Sequence, residues 1–296
     1  MLCAIWGTTW IFIKVGLQDL PPISFAAARF LLAIVILSVI VKIQKIPLPR
    51  TPREWRLVVL TGILQFSINY GMVFWSEQYI TSGLAAVLQA MITVFGLMLA
   101  WYFLPNERVT WLKIFSVAIG IIGVAVIFID QLKVQSWMAF WGCVGIVAGS
   151  YAAAQSSILV KSRGSGIQPA AMLLCQMFCG LPAILIYSIL AEGNPFAHNW
   201  TVKAIGCVLY LSIPGTIVAF WLYYWLLGRI ESTKAMMISL VTPLLAVFVG
   251  WLAIGEKLPP QTTFGGILIV SSIGLIVYRK KDLRPANVSE RDLNQA

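Results

Sequence analysis

The segment Phe30-Leu-Leu-Ala-Ile-Val-Ile-Leu-Ser-Val-Ile-Val41 carries apolar side chains in every direction around a helix. A strand of a membrane barrel would alternate apolar and polar residues, and a surface helix of a soluble protein would keep one polar face. A helix in a bilayer satisfies its backbone hydrogen bonds internally and can be apolar on all sides. The segment therefore predicts a membrane-spanning helix.

The composition extends this prediction to the whole chain. Of the 296 residues, 59% are hydrophobic and 11% are charged, whereas a soluble domain is about 45–50% apolar and about 25% charged. With about 20 apolar residues per crossing, this excludes a water-soluble globule and predicts an all-α, polytopic membrane protein with ten transmembrane helices. The helices are predicted near residues 2–18, 23–43, 55–76, 80–103, 110–130, 137–160, 168–190, 201–226, 233–254 and 260–279.

The basic residues predict the orientation of these helices. Of the 21 lysines and arginines, 16 lie at or beyond the ends of the second, fourth, sixth, eighth and tenth helices, whereas the 11 acids divide almost evenly. Cytoplasmic loops are enriched in Lys and Arg next to membrane spans, so both termini are predicted to be cytoplasmic. The net charge of +10 then reflects topology, and no nucleic-acid partner is predicted. The other basic residues are Lys14, Arg29, Lys133, Lys203 and Lys257.

The chain also resembles itself at an offset of about 150 residues. Each half then holds five helices, so the second half enters the membrane from the opposite side. We predict a first five-helix repeat at residues 1–134, a second at 135–279 and a polar cytoplasmic tail at 280–296. Inverted repeats of this kind can open one central site to either face in turn. The aligned pairs include Trp75 with Trp225, Ser82 with Ser232, Trp101 with Trp251 and, at slightly smaller offsets, Lys14 with Lys161 and Phe115 with Phe264.

Short motifs in both halves resemble those of a known transporter family. They are Trp6-Gly7 followed by Lys14, Pro22 followed by Arg29, and the stretch from Pro243 to Gly255-Glu256-Lys257-Leu258. In this order, over residues 4–279, they resemble the EamA domains of the drug/metabolite transporter superfamily. The resemblance implies a ten-helix transporter of the bacterial cytoplasmic (inner) membrane with a cavity between its halves. It also implies export of amino acids, related metabolites or toxic organic compounds.

Polar residues inside the spans are candidates for the solute-binding site, because an intramembrane polar group is costly unless it faces a cavity or a polar partner. In the third span, Gln65, Asn69, Met72 and Ser76 recur at helical spacing and form one stripe. The alternative for each residue is a hydrogen bond between helices, which contributes about 0.6–2 kcal/mol. The predicted substrate-binding residues are Trp6, Thr9, Asn69, Gln89, Tyr151, Gln155, Gln176, Trp221, Tyr224 and Ser239.

Three charged residues are predicted to act in gating. Arg29 lies about six residues inside the second span, where a charge needs a partner or a watery cavity; the alternative is contact with lipid headgroups. Lys14 and Glu77 lie near predicted outer ends. No span has a carboxylate near its midpoint, although proton relays usually use buried acids or histidines. This pattern favours facilitated diffusion, or coupling through Glu77 at the mouth, over a midplane relay.

Small residues in the sixth span predict close helix packing. Gly142, Gly145 and Gly149 recur on one side of this span, and such spacing lets two helix backbones approach each other. We therefore interpret these glycines as a packing or sliding surface and not as part of the binding site.

The predicted function is alternating-access transport of small metabolites such as amino acids, with export as the direction. Aromatic faces attract cations, so export of flat organic cations is the alternative, and a non-transporting membrane scaffold is another. Catalysis is not predicted, because the sequence has no Gly-x-Ser-x-Gly motif and His198 is its one histidine. No metal or other cofactor is predicted, although Cys175 and Cys179 are four residues apart. The predicted partners are a small solute and the lipid bilayer, with a dimer left open.

Overall fold

The structure is a computed structural model that describes residues 1–80, 82–107, 109–132, 135–194, 197–254 and 260–278. Over these ranges the chain is helical and contains no β-strand, which confirms the all-α prediction. The predicted motif at 255–258 and the predicted tail at 280–296 lie outside the described residues.

The helices follow the predicted spans, and two spans contain a π-helical segment. The first π segment, Ile63–Asn69, joins α3 to α4, and the second, Ile213–Val218, joins α10 to α11. The α-helices are α1 (Leu2–Gly16), α2 (Pro22–Ile43), α3 (Pro52–Gly62), α4 (Tyr70–Ser76), α5 (Ser82–Gln89), α6 (Met91–Phe103), α7 (Trp111–Ile127), α8 (Trp137–Arg163), α9 (Pro169–Glu192), α10 (Val202–Ser212), α11 (Ala219–Leu227), α12 (Ser232–Met236), α13 (Ile238–Ile254) and α14 (Pro260–Tyr278).

Proline and hydroxyl side chains determine where several helices begin. Pro22, Pro52 and Pro169 occupy the first turn of α2, α3 and α9, where the N–H that proline lacks would have no helical partner. Thr51 Oγ1 accepts a hydrogen bond from the Glu54 N–H, and the Glu54 carboxylate accepts one from the Thr51 N–H. This reciprocal capping satisfies two backbone donors at the start of α3.

Six helices in the described ranges are long and apolar enough to cross a membrane. Shorter apolar helices lie at Leu2–Ile13, Trp111–Ile127 and Ser232–Leu245. The fold is therefore that of a polytopic helical membrane protein, while the total of ten crossings and the side of each terminus remain predictions. The six long helices are Pro22–Ile43, Pro52–Ser76, Leu84–Phe103, Trp137–Arg163, Pro169–Glu192 and Val202–Leu227.

Helices from the first and second parts of the chain pack against each other in pairs. α2 lies against α9, α1 against α13, and α6 against α8. Ser24 near the start of α2 shares a hydrogen bond of 2.8 Å with Ser188 near the end of α9, so these two helices run antiparallel. Phe30 and Phe66 are buried in the apolar cluster that forms around this pair, with their ring centroids 5.4 Å apart.

α7 and α14 cross closely at glycine residues. A Cβ atom on Gly123 would lie 2.8 Å from the Gly265 carbonyl oxygen, and one on Gly265 would lie 2.5 Å from the Gly123 carbonyl oxygen. A Cβ atom on Gly120, one turn earlier in α7, would lie 3.0 Å from the hydroxyl of Ser272, later in α14. The two helices therefore also run antiparallel.

The glycines of α8 lie against the third predicted span. A Cβ atom on Gly145 would lie 2.6 Å from the Ser76 hydroxyl, and one on Gly149 would lie 3.2 Å from the Asn69 carbonyl oxygen. The prediction of close packing at these glycines is confirmed. The contact holds the first π segment and α4 in place beside α8.

Candidate functional site

A cavity of about 210 Å³ lies among helices from both parts of the chain. Its wall is formed by α1, α2, the first π segment, α4, α5, α6 and α8, together with α11, α12 and α13. Thirteen residues were predicted to bind the solute or to act in gating. Seven of them line this cavity: Trp6, Thr9, Arg29, Asn69, Glu77, Gln89 and Ser239.

Amide side chains form one polar part of the cavity wall. The Gln89 Nε2 atom donates a hydrogen bond of 3.2 Å to Asn69 Oδ1, and the Ser150 hydroxyl donates one of 3.4 Å to Gln89 Oε1. Gln65 also lines the cavity, and its side chain makes no hydrogen bond within the described ranges. Its amide is therefore available to bind a solute.

The polar stripe of the third span differs from the predicted one. The structure places Val73 and Glu77 beside Asn69 on the cavity wall, whereas Met72 is 39% exposed and Ser76 is buried against α8. In a π-helix each N–H bonds to the carbonyl five residues back, so the chain turns less per residue. The helix that follows is displaced by about one residue, which is about 100° of rotation. The prediction from regular α-helical spacing was therefore wrong in placing Met72 and Ser76 on the same stripe as Gln65 and Asn69.

Aromatic rings form the apolar part of the wall. Trp6 packs edge-on against Phe220 with ring centroids 5.5 Å apart, and its ring lies 5.6 Å from that of Tyr223. The Tyr223 hydroxyl donates a hydrogen bond of 2.9 Å to the Ser157 hydroxyl. Because the tyrosine is held in this way, the rings present apolar faces that can pack against the apolar part of a solute.

Arg29 is buried at the cavity wall, with 4% of its surface exposed. Its Nε atom donates a hydrogen bond of 2.8 Å to Thr216 Oγ1, and Nη2 donates one of 3.3 Å to the Gly215 carbonyl oxygen. The guanidinium carbon lies 5.4 Å from the ring centroid of Phe30 and 5.7 Å from that of Tyr70. The guanidinium is thus in the protein interior, bound to the second π segment, and not among lipid headgroups.

Along α8, Gly145 lies against Ser76, the neighbour of Glu77, whereas Lys161, further along the helix, bonds to Ile230 just before α12. Glu77 therefore lies at the opposite end of the cavity from α12. It is the first residue after the candidate span Pro52–Ser76. Burial raises the pKa of its carboxyl group to about 7, because the charged form loses hydration. Glu77 makes no ion pair within the described ranges, so its charge can change near neutral pH.

A cluster of charged and polar groups lies beyond the other end of the cavity. The Glu107 carboxylate accepts hydrogen bonds of 2.8 Å from the Ser232 backbone N–H and 2.6 Å from its hydroxyl. Lys161 Nζ lies 3.9 Å from Glu107 Oε1 and donates hydrogen bonds to the carbonyl oxygens of Leu227 and Ile230, at 2.7 and 2.8 Å. We call Glu107, Lys161 and Ser232 the Glu107 cluster. It ties the end of α6 to α8, α11 and α12.

The Glu107 cluster lies next to lining residues at this end of the cavity. Ser157 lines the cavity, and Lys161 follows it by one turn in α8; Ala235 lines the cavity, and Ser232 precedes it by three residues in α12. The positive-inside pattern predicts that this is the cytoplasmic end. The cavity therefore extends from the Glu107 cluster towards Glu77 at the predicted outer end.

Five predicted substrate-binding residues lie outside the cavity wall. Gln176 Nε2 donates a hydrogen bond of 2.7 Å to Thr61 Oγ1, and the buried Tyr224 hydroxyl donates one of 2.7 Å to Gln176 Oε1. Tyr151 and Trp221 are 43% and 42% exposed. The fifth residue is Gln155, which is half-buried in α8. A direct role of these residues in binding stays a prediction.

Lys14, a predicted gating residue, lies in α1. Its side chain lies outside what the structure describes, so the gating role of Lys14 stays a prediction.

Several cavity residues were not among the predicted site residues. They include Tyr70, Tyr223, Met236 and Thr242. The spacing of Ser239 and Thr242, three residues apart in α13, is a signal that could have identified Thr242. Tyr70 and Met236 could not be found in this way, because apolar and aromatic residues occur on every face of these spans.

The comparisons with known proteins agree with this architecture. The family model described as the EamA-like transporter family matches residues 1–129 and 140–278. The uncharacterized transporter YoaV of Bacillus subtilis is 28% identical over 271 residues, which cover 91% of each chain. The probable amino-acid metabolite efflux pump of Salmonella typhimurium is also 28% identical, with 98% of this chain and 96% of the relative covered.

A solved crystal structure shares the fold. It matches with a TM-score of 0.82 at 16% sequence identity and covers 94% of both chains. Because the family model covers both parts of the chain that surround the cavity, the chain belongs to the EamA-like transporter family and is a multi-pass membrane transporter.

Proposed function

We propose that the protein exports small metabolites such as amino acids across a bacterial inner membrane by alternating access. The observation that carries this proposal is the cavity between the two parts of the chain, which has the Glu107 cluster next to one end and Glu77 at the other. A transporter needs such a central site, because the solute must be enclosed between the two faces.

An inverted repeat is the proposed basis of the alternation. The two π segments, Ile63–Asn69 and Ile213–Val218, begin 150 residues apart, the same offset that aligns the sequence with itself. α2 with α9 and α7 with α14 are pairs of corresponding helices under this alignment, and both pairs run antiparallel. A two-fold axis in the membrane plane would relate corresponding helices in this way.

The arrangement corresponds to the outward-facing half of the proposed cycle. This assignment is supported by the charge-assisted hydrogen bonds of Glu107, which tie α6, α8 and α12 together at the predicted cytoplasmic end. For the solute to reach the cytoplasm, the Glu107 cluster must open and the helices around Glu77 must approach each other. Alternation then consists of exchanging the contacts at the two ends.

The size and chemistry of the cavity support a small, polar metabolite as the solute. Sites for drug-sized ligands measure about 300–1,000 Å³, and this cavity is smaller, at about 210 Å³. Amides at Gln65, Asn69 and Gln89 can pair with polar groups, while the Trp6 and Phe220 rings can cover an apolar group. The printed description of the Salmonella typhimurium relative as a probable amino-acid metabolite efflux pump is consistent with this solute class.

Export of flat organic cations is the second candidate function. The aromatic wall at Trp6 and Phe220 favours it, because ring faces attract cations, and Glu77 could supply a negative charge at the mouth. The charge of Arg29 on the same wall opposes it. We place cations second for this reason, and we propose neither catalysis nor a purely structural role.

Vesicle flux of solutes identified by a binding screen tests the proposal. Purified protein is screened against a metabolite library by thermal shift, and the hits are followed in proteoliposomes and in protein-free liposomes. We expect flux of amino acids or related metabolites that falls at least about fivefold in Asn69→Ala, which removes the Gln89 partner. Trp101→Ala is the matched control, because Trp101 is 75% exposed and does not line the cavity. Flux of dyes alone would favour the second candidate, and flux of neither class would contradict transport.

A further inference from the structure

The charge of Arg29 has no acidic partner. No ion pair of Arg29 exists within the described ranges, and the carboxylate that lines the cavity, Glu77, is seven residues beyond Tyr70 in the same helix. Seven residues of α-helix span about 10 Å, so Glu77 is too far away to compensate a guanidinium beside Tyr70. A buried cation at a cavity wall is therefore left without a counter-charge.

Neutral groups hold the guanidinium in place. Thr216 Oγ1 accepts from Nε and donates its own hydrogen to the Leu211 carbonyl oxygen at 2.8 Å. The Gly215 carbonyl oxygen accepts from Nη2, and the Tyr70 ring centroid lies 5.7 Å from the guanidinium carbon. The two hydrogen bonds to Thr216 and Gly215 use two of the five guanidinium N–H donors. Donors therefore remain for a group in the cavity.

The position of these donors suits a carboxylate. A guanidinium presents its N–H groups as a planar fork that matches the two oxygens of a carboxylate. Burial makes the unpaired charge costly, so an anionic group that enters the cavity gains both hydrogen bonds and charge compensation. Phe30 and Tyr70 cover the guanidinium with their rings and limit its contact with water.

We propose that Arg29 is the binding site for the carboxylate group of the transported solute, so that the protein selects carboxylate-bearing metabolites whether or not they carry an ammonium group. This inference rests on the proposed transport function and specifies the chemistry that its cavity recognises. It also predicts that the protein does not export flat organic cations, because Arg29 would repel a cationic solute in the same cavity.

Arg29 could instead act only in folding. Its backbone carbonyl accepts a hydrogen bond of 2.9 Å from the Ser212 hydroxyl, and its side chain holds the second π segment. A structural role would lower the stability of an Arg29 variant without changing which solutes the wild-type protein prefers. The test therefore compares solutes on the wild-type protein as well as variants.

Two matched series of solutes isolate the carboxylate. Phenylalanine, hydrocinnamate and phenethylamine share one ring; alanine, propionate and ethylamine share one short chain. In each series the second compound lacks the ammonium group, and the third lacks the carboxylate. Binding to the purified full-length protein is measured by calorimetry at pH 7, and flux is measured in proteoliposomes. We expect the amino acid and the acid of at least one series to bind at least tenfold more tightly than the amine.

Variants of Arg29 then connect this preference to the guanidinium. We expect Arg29→Gln to weaken binding of both carboxylates at least tenfold and Arg29→Lys, which keeps the charge but not the fork, to weaken it less. The same substitution at the exposed Arg163, Arg163→Gln, is the matched control and should leave affinity unchanged. If Arg29→Gln does not fold, the preference of the wild-type protein for carboxylates over amines still tests the proposal.

The outcomes separate the two proposals. Equal or tighter binding of the amines, unchanged carboxylate affinity in a folded Arg29→Gln protein, or no binding of any carboxylate in either series would overturn the carboxylate site. Flux of amines without flux of acids would leave transport standing and reject the site. Arg29-dependent binding of carboxylates, with no flux of any of them, would support the site and contradict the transport function.

Discussion

Glu77 is the acidic residue of the cavity whose charge is expected to change within the physiological pH range. Burial raises the pKa of its carboxyl group to about 7, so the group is mostly neutral below this pH and mostly negative above it. About 10 Å of helix separates it from the level of Tyr70 and Arg29. A solute carboxylate at Arg29 would therefore experience repulsion from Glu77 only at the higher pH.

We expect carboxylate binding to weaken as the pH rises from 6 to 8. At an effective dielectric constant of about 20, two unit charges about 10 Å apart repel by about 1–2 kcal/mol before screening by salt. The loss of affinity should therefore be about tenfold at most. Glu77→Gln should remove this pH dependence and keep the affinity found at low pH, as measured by calorimetry with a carboxylate of unchanging charge. A wild-type affinity that is constant over this range would contradict the role of Glu77.

The same variant tests how transport is driven. Without a carboxylate near the midpoint of the spans, facilitated diffusion needs no pH gradient, and Glu77→Gln should transport equally well with and without one. The wild-type protein should show the same independence of the gradient. Wild-type transport that responds to a pH gradient, with loss of that response in Glu77→Gln, would show that Glu77 couples transport to protons.

Some polar residues of the site could be predicted from the sequence by their position deep inside a membrane span alone. Arg29, Asn69 and Gln89 are such residues, because an intramembrane polar group must face a cavity or a partner. Gln176 and Tyr224 meet the same criterion, yet their polar atoms bond to each other and to Thr61. Depth alone does not distinguish the two cases, because the partners are far away in the sequence and are set by packing.

At the scale of elements, the sequence predicts that the helices exist, but it does not predict where a helix changes from α-helical to π-helical hydrogen bonding. The apolar runs and prolines located each predicted span near its observed helix. The first π segment, however, contains no residue type that would identify a π-helix in the sequence. Because of this segment, Val73 and Glu77 line the cavity in place of the predicted Met72 and Ser76. The second contains Pro214, which removes one backbone donor and disturbs regular α-helical bonding.

The crossing of α7 and α14 should be intolerant of added volume. A Cβ atom on Gly123 would lie 2.8 Å from the Gly265 carbonyl oxygen and 2.9 Å from Ile269 Cγ1, so the helices must separate to admit it. We expect Gly123→Ala to destabilise the protein by about 1–3 kcal/mol, as overpacking does, in unfolding measurements in detergent. The matched control is Gly274→Ala in α14, where a Cβ atom would meet nothing within 4 Å. Equal stability of the two variants would contradict the close crossing.

The Glu107 cluster should set the balance between the two ends of the cavity. A hydrogen bond to a charged group contributes about 1.5–3 kcal/mol, and 1.4 kcal/mol is a tenfold change in an equilibrium. We therefore expect Glu107→Ala to raise the labelling rate of a cysteine at Ser157 from the cytoplasmic side at least about tenfold, in a protein whose native cysteines are replaced. Glu54→Ala, which removes the exposed carboxylate that accepts hydrogen bonds from the Arg50 and Thr51 N–H groups, is the control. An unchanged labelling rate in Glu107→Ala would show that the cluster does not hold this end closed.

At the scale of the whole molecule, the correspondence between the halves connects local structure to transport. Both π segments contribute to the cavity: the first carries Gln65 and Asn69 on its wall, and the second binds the lining residue Arg29 through Gly215 and Thr216. If the halves are related by a two-fold axis in the membrane plane, each can adopt the arrangement of the other. The exchange would open the cavity to the opposite face at little net cost in free energy, because equivalent contacts would be lost at one end and gained at the other.

This mechanism requires the two halves to start on opposite faces of the membrane. We expect a cysteine at Ala4, near the start of α1, to react with a membrane-impermeant thiol reagent from the cytoplasmic side only, and a cysteine at Ser136, which caps α8, to react from the outer side only. Arg163→Cys and Asn199→Cys are the controls for the predicted cytoplasmic and outer sides. The five native cysteines are replaced beforehand. If Ala4→Cys and Ser136→Cys react from the same side, an in-plane two-fold axis cannot relate the halves, and exchange of their conformations could not move the solute across the membrane.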